Sequence, residues 1–196
     1  MTNWEKAASE LMQEAADESS QSISVGFKRL SDEAIIPTKA HPTDSGFDLY
    51  ASEDVIIEPG ETVIVPTGIA VELPKGFEAQ VRPRSGVTSK TKLRVQLGTI
   101  DNGFRGEIGV IVDNISLKYS MEHPDIREAH NDYLRLVDGS SIRTSRRFVK
   151  GSYIIRKGDR IAQLVVQALP EVTAVEIDGF TEESERGEGG FGSSGV

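Results

Sequence analysis

Apolar residues change their period once along this chain. Between residues 4 and 18, Trp4, Ala7, Ala8, Leu11, Met12 and Ala15 recur at three- and four-residue spacing, which predicts a helix with one apolar face. The polar stretch DESSQS (17–22) follows as a linker. From Ile23 to Leu169 the pattern becomes a series of short Val- and Ile-rich runs: ISVGFKRL, TVIVPTGIAVEL, EAQVRP, GEIGVIVDN, GSYIIRKGD and RIAQLVVQAL. Turn formers such as EPGE and LPKG separate them, so each run predicts a strand. Pro59, Pro66, Pro74 and Pro83 recur too often for long helices. Only SGVTSKTKL (85–93) has room for a short one. The pattern predicts a mainly β fold, a jelly roll or barrel.

Residues 116–152 break this series. They are polar, and the sequence predicts an irregular insertion between GEIGVIVDN and KGDRIAQ. Tyr119, Met121, Ile126, Tyr133, Leu134 and Leu136 are its apolar positions. From Gly139 to Gly158, across the insertion's end, stand Arg143, Arg146, Arg147, Lys150, Arg156 and Lys157 with no acidic residue. Such a run reads as a solvated face or as a partner surface, since arginine and aromatic residues favour interfaces.

Composition narrows the functional classes. Of 196 residues, 37% are hydrophobic, enough for one domain with additions. Lys and Arg total 22 against 31 Asp and Glu, for a net charge of −9. That argues against direct nucleic-acid binding, which depends on neutralising phosphates, but leaves room for a local anion site. Cysteine is absent, which removes disulfides and thiolate catalysis. His41, His123 and His130 lack zinc-type spacing. No basic n-region with an apolar run opens the chain, and no apolar stretch approaches the roughly 20 residues of a membrane span. A cytoplasmic protein without membrane contact is expected.

Five short segments concentrate polar residues beside glycine. In TDSGFDLYAS (43–52), Asp48 is a candidate carboxylate for Mg²⁺ through water, or simply a turn residue. In RPRSG (82–86), Arg84, Ser85 and Gly86 open the short helix, where backbone N–H groups attract phosphate; Ser85 is equally placed to be an N-cap. In GTIDNGFRGEIGV (98–110), DNGFRG reads as a hairpin turn with Asp101 before it and Phe104 projecting. In KGDRIAQLVV (157–166), Asp159 and Arg160 suggest an ion pair, and Gln163 points to a ligand or to a neighbouring chain. The last, RGEGGFGSSG (186–195), has the letters of a dinucleotide fingerprint but not its strand-to-helix context. It reads as a disordered tail or as a phosphate cradle of another kind.

In this order the five segments resemble the five motifs of the trimeric dUTPase family, over residues from about Ser24 to Val196 apart from the insertion. The insertion and the SERGEGGFGSSGV ending resemble bacteriophage members from Gram-positive hosts. The resemblance implies a jelly-roll subunit in a homotrimer, with dUTP and Mg²⁺ bound between chains. It implies that Asp101 activates the attacking water and that Asp48 positions the Mg²⁺-triphosphate through water. Arg84, Ser85, Gly86 and Gln163 would contact phosphates. Backbone groups around Gly98, Thr99 and Ile100 would read the uracil, with Phe104 packed on the deoxyribose where the family mostly has tyrosine. The tail would be a mobile arm, with Arg186 on the γ-phosphate, Phe191 stacked on uracil, and Gly192 and Ser193 near the substrate. Val95 stands where many members have a uracil-contacting asparagine, with Gln96 adjacent, and Ser194 replaces a threonine.

The expected organisation is an N-terminal helical extension (1–22), a β core (23–185) carrying the insertion (about 116–152), and the arm (186–196). The expected activity is hydrolysis of dUTP to dUMP and pyrophosphate, with water attacking the α-phosphorus. A dCTP deaminase of related fold is disfavoured because its motif has no match. A regulatory role, with the insertion docking on a phage or host transcriptional repressor, is expected in addition to catalysis or in its place.

Overall fold

The computed structural model describes residues 23–117 and 130–182, together with Lys6, Ser184 and Gly187. The helix expected over 4–18, and Tyr119, Met121 and Ile126 of the insertion, lie outside the described residues. Thirteen strands and one helix make up the described part: β1 (Gly26–Arg29), β2 (Phe47–Tyr50), β3 (Val55–Ile57), β4 (Thr62–Pro66), β5 (Ile69–Glu72), β6 (Phe77–Pro83), α1 (Ser85–Lys90), β7 (Leu93–Val95), β8 (Gly98–Ile100), β9 (Gly109–Asn114), β10 (His130–Arg135), β11 (Ser141–Val149), β12 (Tyr153–Ile155) and β13 (Arg160–Ala168). The chain is mainly β, as its alternation predicts. Its strands form jelly-roll-like sheets and do not close into a barrel.

Two sheets carry the site. One has the order β2-β13-β6-β8 and the other β4-β9-β7. Inward residues of both meet in one core: Ala79, Val81, Ala162 and Leu164 from the first, Val65, Val110, Val112 and Leu93 from the second. Alternate residues of a strand face opposite ways, so the same strands present Arg82, Gln163 and Asp48 on the other face. The run TVIVPTGIAVEL is two strands and not one. It breaks at Gly68, whose φ of +67° favours glycine and whose Cβ would meet that of Ala34 at 2.7 Å. The break sends β5 to pair with β1 instead of following β4.

The GTIDNGFRGEIGV segment is not a hairpin. β8 pairs with β6, while β9 pairs with β4 and β7. The intervening residues cross from one sheet to the other because Ile100 and Ile108 at their ends are both buried in the core.

Part of the insertion is regular where the sequence predicts irregularity. β10 and β11 form an antiparallel hairpin that joins β12 and β3 in a four-stranded sheet. Leu134 is buried and Val137 packs on the core, while Tyr133 stays exposed. Alternation within the hairpin thus spends Leu134 on packing and leaves the arginines outside. Asn114 clamps both ends of the insertion. Its buried side chain donates to the carbonyls of Ile57 and Gly151, each at 3.0 Å, and accepts from the Ser116 N–H at 3.0 Å.

Candidate active site

The first half of the site is a polar cavity of about 460 Å³ lined by Asp44, Asp48, Arg82, Arg84, Ser85, Gly86 and Gln163, among others. Cross-strand register builds it. Asp48 on β2 stands opposite Gln163 on β13, and Gln163 stands opposite Arg82 on β6. A register shift between Arg160 and Ala162 then decides what else joins them. Residues 160 and 163 are an odd number apart and would face opposite ways on a regular strand. The extra residue of the bulge reverses the phase, so Arg160 opposes Tyr50 and faces the same way as Gln163.

Asp48 is therefore held by two guanidinium groups, from Arg84 Nε at 2.9 Å and Arg160 Nη1 at 3.2 Å. Two cations share one largely buried carboxylate, which leaves a local positive excess in a protein of net charge −9. The ion pair suggested between Asp159 and Arg160 does not form. Arg160 is turned to Asp48, and Asp159 instead accepts the Arg156 N–H at 2.8 Å. Burial of Asp159 pushes its carboxyl above the ordinary aspartate range.

Arg84 occupies the N-cap position of α1 and no side chain caps the first turn, so Ser85 is the first helical residue and not a cap. A Cβ on Gly86 would meet nothing within 4 Å; packing within the chain gives no reason for this glycine. Gly46 differs. A Cβ there would lie 2.8 Å from Gln163 Oε1, so the glycine makes room for Gln163, which in turn donates to the Pro83 carbonyl at 3.0 Å.

The second half is a cavity of about 230 Å³ lined by Gly98, Thr99, Ile100, Asp101, Phe104 and Ile108, among others. The Asp101 loop is pinned at both ends. Asn102 Nδ2 donates to the carbonyls of Leu73 and Pro74 at 3.0 and 2.6 Å. At the other end Ile108 N–H bonds the Ile69 carbonyl at 2.8 Å, and buried Thr67 donates to the Ile108 carbonyl at 2.6 Å. Phe104 lies over Gly106, where a Cβ would be 2.6 Å from the ring. Gln96 does not line this cavity; its amide bonds Asp113.

The two halves share no lining residue. Adjacent residues of β6 divide them: Val81 faces the Asp101 cavity and Arg82 the Asp48 cavity. Within one chain, Asp101 and Arg84 therefore line different cavities. Arg186, Phe191, Gly192, Ser193 and Ser194 lie outside the described residues. Sequence reasoning missed Arg82 as a wall of the polar cavity and Arg160 as a partner of Asp48, and Asn102 and Thr67 as the fasteners of the Asp101 loop. The R-x-R spacing of Arg82 and Arg84 was a readable signal for the first; the bulge hid the second.

These features describe a jelly-roll-like β protein with a polar cavity walled by arginines and a separate one bearing Asp101. Comparison with known proteins gives the family. The dUTPase family model matches residues 32–119 and 148–195, leaving only the interior of the insertion unmatched between them. The deoxyuridine 5'-triphosphate nucleotidohydrolase of Clostridioides difficile is 39% identical over 170 residues, covering 86% of this chain and 95% of the relative. The dUTPase of Staphylococcus bacteriophage 80alpha, solved with dUpNHpp, superposes with a TM-score of 0.80 at 37% identity, over 88% of this chain and 99% of that one. The dUTPase of phage phi11 of S. aureus, known for a species-specific insert, gives 0.75 at 28% identity, over 82% and 99%. The chain belongs to the dUTPase family.

Proposed function

We propose that the protein hydrolyses dUTP to dUMP and pyrophosphate in active sites assembled from more than one copy of the chain. The division of the site by β6 carries this reading. Arg82, Arg84, Ser85, Gly86 and Gln163 form the phosphate half, where the positive excess favours a polyanion and arginine forks suit phosphate oxygens. Gly98, Thr99, Ile100 and Phe104 form the nucleoside half, with the Phe104 ring beside the deoxyribose. Asp101, exposed at the edge of that half, is the general base for water attacking the α-phosphorus. Arg186, Phe191, Gly192 and Ser193 would cover the bound triphosphate.

The residues fit a Mg²⁺ that arrives on the triphosphate. Among the described residues no group of three His, Cys, Asp or Glu side chains can hold a metal alone, and Mg²⁺ commonly takes one or two carboxylates plus phosphates and water. Asp48 and Asp44 are the carboxylates that line the phosphate half. The metal would neutralise charge on the phosphates; Asp48 meanwhile orients Arg84 and Arg160.

Association as a homotrimer is supported by surface left uncovered in one chain. Ile64 and Ile111, paired across β4 and β9, lie on the outer face of their sheet, with Ile64 68% exposed. Leu97 is 75% exposed just beyond β7. Val172, Val175, Ile177 and Phe180 follow β13 in an exposed segment. Patches of this kind mark interfaces.

Mixing two impaired variants tests the composite site. Arg84→Ala and Asp101→Ala, each strongly impaired alone, should regain pyrophosphate release from dUTP when refolded together, because mixed assemblies contain some intact sites. No recovery, with mixed assemblies demonstrated by mass, would overturn it. Assays with UTP, dTTP and dCTP alongside dUTP fix the substrate.

A second reading concerns the insertion. The β10–β11 hairpin presents Arg143, Arg146 and Arg147 on an exposed face, with Arg146 4.9 Å from the Phe148 ring centre. Contact between this face and an acidic protein surface, such as a transcriptional repressor, would add regulation to catalysis. The 80alpha relatives are described as phage dUTPases that control transfer of virulence genes by a proto-oncogenic G protein-like mechanism. Capture of a purified phage repressor by the wild type and its loss in an Arg143→Glu/Arg146→Glu variant tests it.

A further inference from the structure

We infer that the tip of the inserted hairpin, residues 136–140, is a positioning element for α1 and, through it, for Arg84, Ser85 and Gly86. The inference rests on reading that turn as the triphosphate clamp.

The tip touches the far end of the helix. Gly139 has a φ of +88°, and a Cβ on it would lie 3.2 Å from the Lys90 carbonyl oxygen and 3.4 Å from the Lys90 Cβ. Lys90 is the last residue of α1 and Ser85 the first. Six residues span only about 9 Å, so a shift imposed at Lys90 reaches the phosphate turn with little room for dissipation. The N-terminal turn has no side-chain cap to hold it independently. Asp48 and the Arg160 carbonyl hold the Arg84 side chain at one end, and the bonds that fix the helix backbone lie at the other. Thr91 donates to the Val87 carbonyl at 2.7 Å, and the Tyr153 hydroxyl accepts the Lys92 N–H at 3.0 Å. The hairpin tip completes this support.

The tip is built to transmit such a contact. Asp138 Oδ1 accepts both the N–H and the hydroxyl of Ser140, at 2.8 and 2.6 Å. Those bonds hold the Asp138 carboxyl below the ordinary aspartate range, with the Lys90 charge adding to the effect. Gly139 N–H bonds the Leu136 carbonyl at 3.0 Å and Leu136 N–H bonds the Ser140 carbonyl at 2.9 Å. Val137 packs on the core beside it. A cavity of about 380 Å³ between the tip and the helix is walled by Arg84, Gly86, Lys90, Asp138 and Arg160, among others. It shares Arg84 and Gly86 with the anion cavity. Substituents on the tip therefore act on the same helix and the same arginine that line the phosphate half.

The test uses the full chain and two ligands. Gly139→Asn tolerates a positive φ yet places a Cβ against the Lys90 carbonyl, so it perturbs the contact while sparing the turn. Gly139→Val perturbs both. For each, KM and kcat with dUTP are measured beside the inhibition constant of deoxyuridine, which has no phosphates. The expected result is a loss of kcat/KM for dUTP approaching the roughly 10²-fold that a misplaced binding group brings, with deoxyuridine inhibition unchanged. Ser145→Ala, on the exposed part of the same hairpin, should behave as wild type. Wild-type kinetics in folded Gly139→Asn, or parallel loss of dUTP and deoxyuridine binding, overturns the inference. Arg84→Ala separates it from the reading beneath: if Arg84→Ala also leaves dUTP kinetics intact, the phosphate-turn assignment fails; if only the Gly139 variants do, the positioning role alone fails.

Discussion

The Asp48 carboxylate meets Arg84 Nε at 2.9 Å across two strands that are not neighbours. β13 lies between them, and Arg84 reaches over it from the start of α1. The pair aims the Arg84 fork at the cavity and keeps it there before any ligand arrives. Arg84→Ala should lower kcat/KM for dUTP by roughly 10–150-fold, the value of about 1.5–3 kcal/mol for a hydrogen bond to a charged group. Arg84→Lys should restore little of it, because an ammonium lacks the planar fork. Steady-state kinetics on the three proteins checks this; full activity in the alanine variant removes Arg84 from the site.

Asp101→Ala should reduce kcat by roughly 10²–10⁴-fold, as expected for a lost general base, with thermal stability unchanged because the side chain is exposed. Asn102→Ala should lower both activity and stability, since it unfastens the loop from Leu73 and Pro74. Melting curves and turnover measured together distinguish the two.

Asn114→Leu should destabilise the fold by about 1–3 kcal/mol per unsatisfied buried partner. The carbonyls of Ile57 and Gly151 and the Ser116 N–H all lose their partner at once. Urea titration reads the loss, and hydrogen exchange should localise it to both ends of the insertion. A midpoint equal to wild type contradicts the clamp.

Asp159 gives a pH dependence with a definite sign. Its carboxyl is raised in the folded state by burial, so the folded protein binds the proton more tightly than the unfolded chain. Stability from this group therefore falls as pH rises from the ordinary aspartate value through the raised one, and stays lower above it. Asp159→Asn keeps an acceptor for the Arg156 N–H and removes the charge. It should melt higher than wild type at pH 7, with the difference shrinking in acid. A wild-type advantage at pH 7 would falsify the assignment.

Much of this was readable from the chain because its physics is local. Alternation in EAQVRP and RIAQLVVQAL predicts β6 and β13, since a half-buried strand needs one apolar face. RPRSG predicts a turn into a short helix because Ser-Gly suits a helix start. Asp48, Arg84, Ser85, Gly86 and Gln163 do converge on one cavity, and Gly98, Thr99, Ile100, Asp101 and Phe104 on another. DNGFRG was misread as a hairpin because turn chemistry reports a change of direction, not which strands then pair. The insertion was read as irregular because its alternation carries arginine where core strands carry valine, and only Leu134 within β10 is fully buried.

Sequence by itself determined the mainly β character, the family and the identity of the residues that face the two cavities. These follow from residue type and spacing, which act over a few bonds. Tertiary structure alone decided how those residues are grouped. The bulge at Arg160 turns that side chain toward Asp48, which no count of alternating positions predicts. β6 then turns Val81 to the Asp101 cavity and Arg82 to the Asp48 cavity, because a strand exposes one face to each side of its sheet. Gly139 reaches Lys90 only because the hairpin folds back onto α1. Each of these depends on pairing between segments distant in sequence, where the decisive contacts come from register and packing.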